Sequence, residues 1–203
     1  MSITLTQLRE CLKEGKITSS ILSEDISEII PGKIYLGTWQ GSLQIPKLLQ
    51  LGIRAVLCIN SERVKSKETL AAYTQANINT KYIEIEDLWT SSIREHLEPA
   101  YEFIQTNLSR GGVYVHCTSG INRSPTIVAY YLLRELRKDA ASKDICLLRE
   151  VMAYLSLKRE GISPNIPFVE ELRVVDLELM EPPASTPQIS PAPILHLAYY
   201  NPV

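Results

Sequence analysis

The chain has 203 residues, enough for one domain that buries roughly 70% of the surface its unfolded form exposes. With 45% hydrophobic and 22% charged residues, it lacks the low hydrophobicity that keeps whole chains unfolded. A formal net charge of −2, from 23 acids against 21 bases, excludes the strongly basic balance of proteins that coat nucleic acid or anionic membranes.

In chain order, Leu5, Leu8, Cys11 and Leu12 recur at helical spacing and predict a short amphipathic helix over about 4–14, closed by Gly15. The runs KIYLGTW and IRAVLCIN predict β-strands, with a short helix between them that ends at Gly52. A loop follows, and then TKYIEIED, an alternating strand that ends in acids; Ser92 is placed to N-cap a helix through Leu97, Tyr101 and Ile104. GGVYVHC reads as a buried strand, and SPTIVAYYLLRELRK as a helix with Ser124 at its N-cap and Pro125 at its first position. Two further helices are expected near 144–157 and 166–178. Strands and helices in alternation imply an α/β fold, a central, mostly parallel, twisted sheet flanked by helices, with its site at the carboxyl ends of the strands. The expected division is a helical N-terminal extension at 1–28, a central α/β domain at 29–180 and a flexible tail at 181–203. From Pro182 the tail holds six of the twelve prolines and no charged residue.

Cys11, Cys58, Cys117 and Cys146, with His96, His116 and His196, have neither CxxC pairing nor metal-ligand spacing, so no metal and no cofactor is expected. The opening residues carry charges without an apolar signal core, and no apolar run reaches spanning length. A cytoplasmic or nuclear protein with reduced thiols, and no membrane partner, is the expectation.

The chemistry concentrates in His116-Cys117-Thr118-Ser119-Gly120-Ile121-Asn122-Arg123-Ser124, a cysteine and an arginine separated by five residues in a turn between strand and helix. Backbone N–H groups from Thr118 to Arg123 would line such a turn, and the helix that follows aims its positive end at the same point, which makes a phosphate cradle. Gly120 permits the tight backbone. The same field favours the thiolate of Cys117, the nucleophilic form. Arg123 supplies a planar fork that matches two phosphate oxygens. Ser124 can donate to the sulfur, and His116 orients the loop.

This stretch resembles the dual-specificity branch of the protein tyrosine phosphatase superfamily, whose signature HCxxGxxRS is met at His116, Cys117, Gly120, Arg123 and Ser124. The resemblance extends over about 29–179, through KIYLGTWQ, IRAVLCIN and REGISPN; Glu160 stands where the family usually has proline. It implies a cysteinyl-phosphate mechanism on phosphotyrosine and on phosphoserine or phosphothreonine in proteins, in a pocket shallower than that of classical tyrosine-specific domains. It also implies an acid, and Asp87 followed by Ile93 reproduces the family's arrangement, with Glu84 and Glu86 on the other face of the strand. Cys58, at the end of AVLCIN, takes the place where some members carry a redox partner for the nucleophile, although a core cysteine is the plainer reading. Cys11 and Cys146 read as packing residues.

Three weaker signals accompany these. Arg63, Lys65 and Lys67 form a basic loop. Trp89 either walls the pocket or anchors its loop. Thr186-Pro187 and Ser190-Pro191 suit proline-directed phosphorylation and a docking partner for the tail. Two other functions compete. An RNA 5′-triphosphatase is implied by the resemblance to capping-type relatives, which share HCTxGxNR and so match Thr118 and Asn122, but uncharged loop positions and the net charge argue against a nucleic-acid partner. A non-catalytic phosphoprotein-binding module would normally lack Cys117 or Arg123, and both are present.

Overall fold

The computed structural model describes residues 3–14, 21–61, 67–139 and 145–180. The expected tail at 181–203 and the basic positions Arg63 and Lys65 lie outside them. In order the elements are α1 (Leu5–Glu14), β1 (Ile21–Ser23), β2 (Ile26–Ile30), β3 (Ile34–Gly37), α2 (Trp39–Leu43), α3 (Ile45–Gln50), β4 (Ile53–Asn60), α4 (Lys67–Gln75), β5 (Asn79–Glu84), α5 (Arg94–Asn107), β6 (Gly112–His116), α6 (Arg123–Leu136), α7 (Leu148–Lys158) and α8 (Ile166–Met180).

Six strands form one sheet in the order β1-β2-β3-β6-β4-β5. The run β3-β6-β4-β5 is parallel, and β1 and β2 are antiparallel at one edge. The mixed α/β architecture is the one expected, with one addition. The stretch expected as a helical extension, 1–28, holds α1 but also β1 and the start of β2, which pair onto the sheet.

Alternation in the strands separates two cores. Ala55, Leu57, Ile59, Val113 and Val115 face α5 to α8 and α1. On the other face, Val56, Tyr35 and Tyr114 meet Leu48 and Tyr73 from the thinner layer that holds α3 and α4. α4 was expected as loop; one large side chain, Tyr73, anchors it, and its hydroxyl donates to Ser42 O (2.6 Å). Every residue of β3 and β6 is buried, as central parallel strands require. Among the described residues no helix is long and apolar enough to cross a membrane.

Two helix starts depart from the expectation. α5 begins at Arg94, and although Ser92 Oγ accepts from its N–H (3.3 Å), Glu171 Oε2 on α8 accepts from both Ile93 N and Arg94 N at 2.8 Å. A carboxylate borrowed from another helix caps this end better than a local hydroxyl, because it also meets the helix dipole. α7 is capped in the same way: the fully buried Asp176 accepts from Leu147 N (2.7 Å), Leu148 N (2.9 Å) and the Cys146 thiol (3.2 Å), and is paired with Arg137. Cys146 is therefore an exposed donor to a buried carboxylate rather than a packing residue, while Cys11 does pack against the core.

Replacing one partner of a buried pair strands the other charge, so Asp176→Ala should lower the unfolding free energy by about 3–5 kcal/mol in urea denaturation. Glu171→Ala, at a half-exposed cap, should cost about 1 kcal/mol in the same assay.

Candidate active site

The loop from Cys117 to Asn122 joins β6 to α6 at the carboxyl end of the sheet. Its shape follows from where its carbonyls go. Cys117 O accepts from His116 Nδ1 (3.0 Å), Thr118 O from Trp39 N (3.1 Å), Ser119 O from Arg159 Nη2 (3.1 Å), Gly120 O from Arg159 Nε (3.1 Å), Ile121 O from Ser163 N (3.0 Å), and Asn122 O from Thr126 Oγ1 (2.8 Å). All six are held by groups around the outside. In a trans peptide the next N–H points opposite to the carbonyl, so holding the carbonyls outward turns the N–H groups of 118–123 inward. The N–H of Gly120 illustrates this: it donates to Cys117 Sγ at 3.3 Å.

Gly120 has φ +70°, and a Cβ there would stand 2.5 Å from Gly37 O and 3.0 Å from Arg159 Nη2. Both the left-handed backbone and the space demand glycine.

Cys117 is buried, and its sulfur also accepts from Ser124 Oγ (3.2 Å). That is why Ser124 does not cap α6 as expected; the helix starts at Arg123, and the hydroxyl is committed to the sulfur. Arg123 is buried. Its Nη1 donates to Asn60 Oδ1 and Ile85 O, and its Nη2 to Thr118 Oγ1, all at 3.1 Å. Nη2 also lies 3.1 Å from Asp87 Oδ2, and Asn122 Nδ2 donates to Asp87 Oδ1 (2.6 Å). The structure thus brings Asp87, three residues past the end of β5, to the loop, while Glu84 and Glu86 are exposed.

His116 stacks on Tyr114 (5.5 Å, 18°), and burial pushes its imidazole down to about 4. It is therefore neutral near pH 7 and, with a carbonyl as its partner, carries its proton on Nδ1. Cys58 pairs in register with His116 on β6 and Tyr82 on β5. It interacts electrostatically with Tyr73 and Tyr82, on the sheet face away from the cluster that contains Cys117. Neither thiol is in a disulfide. Trp89 is 68% exposed, so it does not anchor its loop to the core. Among the described residues no group of three or more His, Cys, Asp or Glu side chains could hold a metal ion.

Two residues with decisive contacts were not singled out from the sequence. Asn60 ends β4 and gathers Ser61 N, Thr118 Oγ1 and Arg123 Nη1 on one amide oxygen. Arg159 reaches the loop from beyond α7, and also donates to Glu24 O and Ser27 Oγ. Burial lowers its guanidinium, and Tyr114, Cys117 and Asp25 nearby counter that in part. The departure at Glu160 is exposed and touches none of this.

The family model for the dual specificity phosphatase catalytic domain matches residues 34–176. The chain belongs to the dual specificity phosphatase family. Dual specificity protein phosphatase 5 of Rattus norvegicus is 33% identical over 162 residues, 79% of this chain and 38% of that protein. Dual specificity protein phosphatase 9 of Homo sapiens is 30% identical over 146 residues, 71% of this chain and 34% of that one. The chain therefore spans well under half the length of these relatives. Among solved structures, the human tyrosine phosphatase-like serine/threonine/tyrosine-interacting protein superimposes with a TM-score of 0.63 at 25% identity, over 78% of this chain and 100% of that one.

Two outcomes follow for this member of the family. The folded His116 resists protonation down to about 4, whereas an unfolded histidine takes its proton near 6.5. The unfolded state thus gains protons first as pH falls, so stability should decline from pH 6.5 toward 4, by about 3 kcal/mol in all. His116→Gln should flatten that part of the pH–stability curve. Arg159→Lys removes the fork that fixes two loop carbonyls, and should weaken inorganic phosphate binding about 10- to 100-fold by calorimetry.

Proposed function

We propose that the chain hydrolyses phosphate monoesters on tyrosine and on serine or threonine of proteins, through a cysteinyl-phosphate intermediate and without a metal. The reading is carried by one observation: Cys117 Sγ, the Arg123 guanidinium and the Asp87 carboxylate meet at a single loop whose N–H groups face inward.

In this mechanism the Cys117 thiolate attacks phosphorus, and the S–P bond forms as the ester O–P bond breaks. Arg123 and the inward N–H groups take up the charge of the equatorial oxygens, the work a metal ion performs elsewhere. Asp87 donates its proton to the leaving oxygen. A bound phosphate dianion competes with the Asp87 carboxylate for Arg123, which frees Asp87 to face the leaving group. Water then attacks the phosphocysteine, Asp87 accepts its proton, and Ser124 Oγ stabilises the departing thiolate. Thr118, Ser119, Ile121 and Asn122 contribute backbone and shape to the phosphate cradle. Phosphoproteins are the substrate class that the phosphatase relatives imply, and the cytoplasm or nucleus keeps the required thiol reduced.

Phosphate release should be measured with chelator present, from p-nitrophenyl phosphate, a doubly phosphorylated Thr/Tyr peptide and a 5′-triphosphate RNA. Cys117→Ser should abolish turnover. Asp87→Asn should lower kcat on the peptide about 10²- to 10⁴-fold, and less on p-nitrophenyl phosphate, whose leaving group needs little protonation. Selective release from the RNA would reassign the substrate class, and phosphopeptide binding without any turnover would make the chain a binding module.

A further inference from the structure

Eight large apolar side chains are exposed among the described residues, and six of them surround the loop: Trp39, Leu43, Leu88, Trp89, Ile121 and Ile166. Hydrogen bonds place the segments that carry them. Trp39 donates its N–H to Thr118 O, and Leu43 lies one helical turn further along the same face of α2. Leu88 and Trp89 follow Asp87 on a turn closed by Ser91 N to Leu88 O (3.2 Å). Ile121 belongs to the loop. Ile166 opens α8 directly after Asn165, whose N–H donates to Asn122 Oδ1 (2.9 Å).

Exposed apolar side chains scattered singly are ordinary; six gathered at one mouth are not. They are 39–68% exposed, and the two most exposed, Trp89 (68%) and Ile166 (64%), border the Asp87–Asn122 contact at one end of the loop. Trp39 and Leu43 border Thr118, near the other end. None of the six is basic, nor is any loop position from 118 to 122, and the exposed carboxylates of Glu86 and Asp87 lie in their midst. A surface meant for an anionic lipid headgroup layer would be rich in lysine and arginine.

We propose that this rim selects phosphoprotein segments that carry large apolar side chains on both sides of the phosphorylated residue, a specificity that rests on the phosphatase reading above. The phosphate enters the cradle, and the flanking residues, about 3.3 Å apart per position in an extended segment, settle on Trp39 and Leu43 at one end and on Trp89 and Ile166 at the other. Burying apolar surface remote from phosphorus supplies binding energy that raises kcat/KM without altering the chemistry.

The test compares kcat/KM for matched phosphopeptides flanked by Leu and Phe, by Ala, or by Glu, with p-nitrophenyl phosphate as a substrate that has no flanks. Apolar flanks should raise kcat/KM about tenfold or more over Ala, and the gap should close in both Trp89→Ala and Ile166→Ser. Equal rates on Leu/Phe- and Ala-flanked peptides, while p-nitrophenyl phosphate is still hydrolysed, would sink the rim specificity and leave the phosphatase reading standing. So would a gap that persists in both variants. Faster turnover of a phosphoinositide in vesicles than of any peptide would turn the rim over to a lipid surface. No hydrolysis of any substrate by folded wild type would end both readings.

Discussion

The site depends on one buried guanidinium that holds the loop by its carbonyls. Arg159 donates to Ser119 O and Gly120 O from behind, and ties the same side chain to Glu24 O and Ser27 Oγ in the antiparallel edge of the sheet. Holding those carbonyls outward is what turns the loop's N–H groups toward a single point. A flexible ammonium has no planar fork with which to span four acceptors. The cost of burying the cation is offset by these charge-assisted bonds.

Around this centre the protein assembles its reactive groups from distant segments. Asn60 at the end of β4 sets Arg123; Ile85, just past β5, accepts from it; and Glu171 of α8 pins the far end of the loop that carries Asp87 through two N–H groups. That loop is thus held at its two ends, while its middle, with Leu88 and Trp89, stays exposed. Parallel strands make this convergence possible, since their carboxyl ends all open on one side of the sheet.

Much of this was legible because strong local signals coincide with the strand–turn–helix unit. GGVYVHC is apolar and short, and the residues after it pair a cysteine with an arginine at loop spacing, so Cys117, Arg123 and their loop could be named from the chain alone. Asp87 was legible through the family's arrangement. What was not legible depends on tertiary reach. β1 spans three residues, too few for alternation to register. Arg159 stands 39 positions from Gly120, in a segment where attention falls on Glu160. The face on which Cys58 sits follows from its register with His116 and Tyr82, which only the assembled sheet defines. Ser124 looked like a cap because helix propensity ignores a sulfur nearby.

The close approach of backbones at Gly37 and Gly120 bears on how the loop could be reused. A Cβ on Gly120 would meet Gly37 O, and a Cβ on Gly37 would meet Asp25 O at 1.8 Å, so three layers of main chain are stacked at their limit of approach. The cradle is moulded by this stack as much as by its own seven residues. Grafting residues 117–123 onto another strand–turn–helix unit would copy the signature without the mould, and a designer who wanted a working phosphate cradle would have to transplant the β1–β2 hairpin and Arg159 with it.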